Sequence, residues 1–144
     1  MSDVRETIQN SFSRQSLMTA FSARIDSIAP GEVVVSAPIT DAVLQQHGVA
    51  HAGLTFALGD TAAGYAAISA LKGAEVMTAE MKINLLAPGT GHRLRATGRV
   101  IRPGQRLVVV AADVHAMDNT GDAALIAVLQ GTMVPMLPEH RGSG

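Results

Sequence analysis

Residues 54–71 read LTFALGDTAAGYAAISAL, and they follow a loop, residues 45–53, that reads QQHGVAHAG. The longer stretch is apolar or small almost all the way round. A helix without a polar face has to be buried, and Gly59, Ala62, Ala63, Gly64, Ala66 and Ala67 allow other backbones to approach it closely. Its one charged side chain is Asp60. Burying an unpaired carboxylate is costly, so Asp60 calls for hydrogen-bond partners, a polar cleft or a chemical task.

The elements on either side say what buries this helix. Upstream, residues 1–20 are predicted to hold an N-terminal helix: Ser2 and Asp3 are caps, Glu6 completes a capping box, and Val4, Ile8 and Phe12 share one side. Strands are expected over 21–28 and 33–37 around a Pro30-Gly31 turn, and a helical turn over 41–44. Gly73, after Lys72, stands where a helix ends. From Glu75 the period changes to two. Met77, Ala79, Met81, Ile83 and Leu85 form the expected buried face, and Thr78, Glu80, Lys82 and Asn84 the solvent face. Further strands are expected over 92–101, 106–117 and 122–134, with turns at Pro103-Gly104 and Asn119-Thr120-Gly121, and a frayed polar tail from Pro138. The whole is read as one α+β domain, 1–144, in which a meander of four long antiparallel strands wraps one buried helix, the hot-dog arrangement.

Composition excludes several functions. Hydrophobic residues make up 47% and aromatics 3% of the 144 residues, so the core is aliphatic and a base-stacking nucleic-acid surface is not expected. A net charge of −1 gives no general attraction to polyanions. Without cysteine there is no disulfide, thiolate nucleophile or cysteine-ligated metal. The start, MSDVRE, lacks the basic and apolar run of a signal peptide, which leads to a cytoplasmic expectation. Stretch 54–71 approaches the length of a membrane span, but its aspartate, glycines and alanines make it a poor one.

The segment His47-Gly48-Val49-Ala50-His51-Ala52-Gly53, followed by Leu58-Gly59-Asp60-Thr61-Ala62, resembles the H-G-x-x-H-G-G…L-A-D-x-A signature of hot-dog acyl-CoA thioesterases of the phenylacetyl-CoA thioesterase (PaaI) type. Val76-Met77-Thr78-Ala79-Glu80 and Leu85-Leu86-Ala87-Pro88-Gly89 resemble that family's next strand and its end. The resemblance implies hydrolysis of an acyl-CoA to a carboxylic acid and coenzyme A, with the thioester as substrate and no cofactor. It implies that Asp60 acts as general base or nucleophile, that the backbone N–H of Ala52 polarises the carbonyl, that Gln45 places the carbonyl or the water, and that Thr78 holds the attacking water. His51 stands on the motif position, and His47 and Gly48 belong to the same loop. One departure is Ala52-Gly53 in place of Gly-Gly.

Physical chemistry supports part of this. Helix N-termini present unpaired N–H groups suited to an oxyanion, and Ala52 and Gly53 stand there. Ala52 and Asp60 are separated by roughly 12 Å of helix rise, too far to share one carbonyl. Asp60 of one subunit is therefore expected to face the loop of another, in a homodimer or a dimer of dimers (a homotetramer). His47 and His51, four apart, have no evident third metal ligand, and no metal is expected. Arg102 and Arg106, beside Gly104, are candidates for the coenzyme A phosphates as well as for a simple solvated face. The alternatives are an acyl-CoA-binding module without hydrolysis and a hydratase or dehydratase built on the same fold. The acyl group, aryl or medium-chain, is a matter of pocket shape.

Overall fold

Helix α3, Ala52–Ala70, runs through the centre of the molecule in the computed structural model, which describes residues 1–136. The expected frayed tail lies outside the described residues. Leu54, Leu58, Ala62, Ala63, Ala66 and Ala67 are all buried. The helix ends where glycine predicts: Lys72 and Gly73 both take positive φ, and the Gly73 N–H donates to the Ile68 carbonyl at 2.9 Å.

Six antiparallel strands wrap α3: β1 (Arg24–Ala29), β2 (Glu32–Pro38), β3 (Val76–Leu85), β4 (Arg93–Arg102), β5 (Val108–Met117) and β6 (Ala123–Pro135). Their order in the sheet is β1-β2-β4-β5-β6-β3. The fold is an α+β hot-dog. Alternate residues of the central strands face the helix, among them Val33 and Val35, Leu94 and Ala96, Val110 and Val114. Gly98 permits the closest approach. A Cβ there would lie 2.2 Å from the Ala62 backbone carbon, so only glycine lets β4 lie against α3. At the other end of the helix, the buried Ser69 hydroxyl accepts the Gly31 N–H at 2.9 Å and ties α3 to the β1–β2 turn.

Helix α1, Ser2–Ser13, covers part of α3 through fully buried Ile8 and a tilted Phe12–Tyr65 ring contact, centroids 6.2 Å apart. A 3-10 turn, Asp41–Val43, leads into the loop before α3, as expected.

Four expectations are corrected. The capping box does not form: Met1 is the N-cap of α1 and makes no side-chain cap bond, while the Thr7 hydroxyl donates to the Asp3 carbonyl. Residues 1–20 hold two helices, since a short α2, Ser16–Ala20, seats Met18 in the core and delays the first strand to Arg24. The last four strands are not one meander. β4-β5-β6 is, but β3 crosses to the far edge and pairs with β6. Finally, β3 does not keep its alternation. Thr78 pairs with Met133 and Glu80 with Thr132, leaving Ala79 as a bulge. An extra residue reverses which side chains face inward, so Thr78 turns toward α3 while Met77 is 60% exposed.

Candidate active site

Asp60, half-buried in the third turn of α3, receives a hydrogen bond from the Thr78 hydroxyl to its Oδ1 at 2.7 Å. The Thr78 oxygen is also 3.2 Å from the Met133 sulfur. Bulge and helix together create this pair: α3 presents Asp60 toward β3, and the extra residue at Ala79 turns Thr78 to meet it. The two line a cleft of about 190 Å³ with Gly64, Tyr65, Ser11 and Gln15. Sequence reasoning missed the last three. The signal was a single tyrosine in an otherwise apolar helix, five residues beyond Asp60.

The loop before α3 is a closed hairpin. Leu44 bridges Ala50, the Gln45 N–H donates to the Val49 carbonyl at 2.9 Å, and the Gly48 N–H donates to the Gln45 carbonyl at 3.0 Å, with Gly48 at φ 80. The His47 N–H donates to the Gln45 side-chain carbonyl, which fixes that amide. His51 is the N-cap of α3, and its Nδ1 accepts the Gly53 N–H at 2.7 Å. That bond engages one of the two N–H groups expected to polarise a carbonyl. The Ala52 N–H has no partner among the described residues. Gln45, His47, His51 and Ala52 line a second cleft of about 610 Å³ against Leu86 and Pro88.

Within this chain these two sets do not meet. Neither Asp60 nor Thr78 lines the loop cleft, and no loop residue lines theirs. Arg102, Gly104 and Arg106 line neither cleft. Arg102 pairs with Val109, and the Val100 N–H donates to the Gly31 carbonyl, so this turn lies at the C-terminal end of α3, away from the loop. Among the described residues no three histidine, aspartate or glutamate side chains gather as a metal site, and no helix is long and apolar enough to cross a membrane.

A long helix carrying one acid, wrapped by this sheet and opened by a capped N-H cluster, defines a class. The Thioesterase superfamily pattern matches residues 47–123, more than half of the chain, so the chain belongs to the thioesterase superfamily. A solved thioesterase family protein from Silicibacter pomeroyi is 36% identical and superposes with a TM-score of 0.89, over 93% of this chain and 98% of that one. The Escherichia coli PaaI protein from the phenylacetic acid degradation operon superposes with a TM-score of 0.81 over 93% of this chain and 94% of its own, at 24% identity, a likeness of fold. A Saccharolobus solfataricus protein named as an esterase is 40% identical over 87 residues, which is 60% of this chain. The chain spans about half, 55%, of that relative's length.

Proposed function

We propose that this protein hydrolyses the thioester of an aryl- or medium-chain acyl-CoA, and that it does so as a dimer or a dimer of dimers with each site built from two subunits. The observation that carries the reading is the Asp60–Thr78 pair at the wall of a cleft. Thr78 spends its proton on Asp60, so its lone pairs remain to accept a hydrogen bond from water. Asp60 takes a proton from that water as the water oxygen bonds to the thioester carbon. The oxyanion is received by the Ala52 N–H at the helix N-terminus of the partner subunit. As the C–S bond breaks, the proton on Asp60 passes to the departing sulfur. Direct attack by the Asp60 carboxylate, with water releasing the acyl group afterwards, uses the same groups. Gln45, held by His47, positions the carbonyl or the water, and His51 fixes the first turn of α3.

Three features support self-association. The two half-sites are separated in one chain, β3 is an edge strand among the described residues, the kind of strand that offers backbone groups for pairing, and it carries exposed Met77 and Leu85. The reaction is intracellular in this reading, since its substrate is a coenzyme A ester. Arg102 and Arg106 remain the proposed phosphate contacts, although they line neither cleft of a single chain and would have to be brought to the coenzyme A by assembly.

The test is release of free thiol from a panel of aryl- and alkyl-CoA thioesters by the wild type and by a folded Asp60→Ala variant. The expected result is a loss of at least about a hundredfold in kcat, the smallest effect of removing a general base. Tight acyl-CoA binding without hydrolysis by the wild type would replace the reading with that of a binding module.

A further inference from the structure

The cleft that holds Asp60 has a second polar group, further along the same helix. Tyr65 is only 3% exposed, yet its hydroxyl is not buried among apolar atoms. It accepts a hydrogen bond from the Gln15 amide at 2.7 Å and shares one with the Ser11 hydroxyl at 3.0 Å. All three residues line the cleft. On an α-helix, five residues correspond to about 7.5 Å of rise and about 140° of rotation. Asp60 and Tyr65 therefore project in different directions from α3, and the cleft that both line curves around the helix between them. Gly64 lies between them, its missing side chain leaving the passage open: a Cβ there would reach within 3.8 Å of the Met133 methyl.

Resting on the thioesterase reading, we propose that Tyr65, Gln15 and Ser11 are specificity-determining residues, which select acyl groups carrying a neutral oxygen, hydroxyl or keto, at the end distal to the thioester. A phenol has one proton and two lone pairs, so two bonds leave Tyr65 with capacity for a third. The Gln15 side-chain carbonyl forms no hydrogen bond among the described residues. Such a trio offers both a donor and an acceptor to an incoming oxygen. A charged terminus does not fit. Among the described residues Asp60 is the only charged one lining the cleft, so a distal carboxylate would lie unpaired in the same space as a like charge. The volume, about 190 Å³, suits a short chain or a single ring. A site that hydrogen-bonds a substrate hydroxyl discriminates against the analogue lacking it.

The experiment compares hexanoyl-CoA with ω-hydroxyhexanoyl-CoA, taking the ratio of kcat/KM for the hydroxylated over the plain thioester. The wild type favours the hydroxylated member, and the ratio falls at least tenfold in Tyr65→Phe and also falls in Gln15→Leu. If the trio merely ties α1 to α3, both substrates suffer alike, the ratio stays within twofold of wild type in both variants, and the proposal is overturned. Should the wild type hydrolyse neither of these nor any aryl-CoA thioester of the panel, the thioesterase reading fails. The same ratio, taken as Kd by calorimetry, then judges the selectivity alone: equal affinities in wild type and Tyr65→Phe overturn it, and a preference lost in the variant upholds it.

Discussion

The Thr78 hydroxyl lies 2.7 Å from the Asp60 carboxylate, across eighteen residues of sequence and between two different elements. Strict alternation along β3 would turn Thr78 to solvent. The bulge at Ala79 turns it inward.

A charge-assisted hydrogen bond of this kind contributes enough to separate two conservative variants. Thr78→Ser keeps the hydroxyl and is expected to keep kcat within a few-fold of wild type. Thr78→Ala is expected to lower kcat by roughly tenfold to a hundredfold, the worth of one hydrogen bond to a charged group. Steady-state kinetics on the preferred thioester reads both, and equal activity in the two would remove Thr78 from the mechanism.

A site shared between subunits predicts complementation. Asp60→Asn and Gln45→Ala each disable every site of their own homodimer. After unfolding and refolding together, each mixed dimer has one doubly altered site and one intact site. Activity returns to roughly a quarter of wild type if the two chains assort at random across a two-fold interface. Recovery no greater than the sum of the separate variants would mean that Asp60 and Gln45 serve the same site from a single chain.

Gly98 sets how close the sheet can lie to the helix. Gly98→Ala drives a methyl into the Ala62 backbone, which has no rotamer by which to yield, and is expected to destabilise by about 3 kcal/mol or more. Gly64→Ala is the control: its new methyl meets only the flexible end of Met133 at 3.8 Å, and the gain in helix propensity, up to about 1 kcal/mol, leaves stability unchanged or improved. Urea unfolding of the two variants decides the contrast.

The β5–β6 turn gives a pH dependence whose sign is set. The Asp118 carboxylate accepts the Thr120 hydroxyl at 2.6 Å and the backbone N–H groups of Thr120 at 2.9 Å and Asp122 at 3.1 Å. These bonds, the Thr120 hydroxyl foremost, hold its pKa below the ordinary 3.8. A depressed folded pKa contributes stability that is complete above the unfolded value and is lost as pH falls through the folded one. Asp118→Ala is therefore expected to lower Tm at neutral pH and to converge on wild type once the pH is below that lowered pKa. A constant Tm gap across the whole range would show that the carboxylate's charge plays no part.

What the sequence determined on its own is whatever depends on local pattern. An all-apolar helix must be buried, so α3 could be placed at the centre with an antiparallel sheet around it, and the superfamily followed from the loop and from Asp60. Glycine and proline marked most turns for the same local reason. Pairing between distant strands carries no local signature, and this is why β3 was expected beside β4 rather than beyond β6. The bulge at Ala79 exists only because β6 fixes the register from outside the strand, and with it went the inward turn of Thr78. The same holds for Tyr65, whose partners Ser11 and Gln15 lie fifty or more residues away. A side chain's chemistry is written in its residue type; which groups it faces is decided by long-range packing, and that belongs to the tertiary structure.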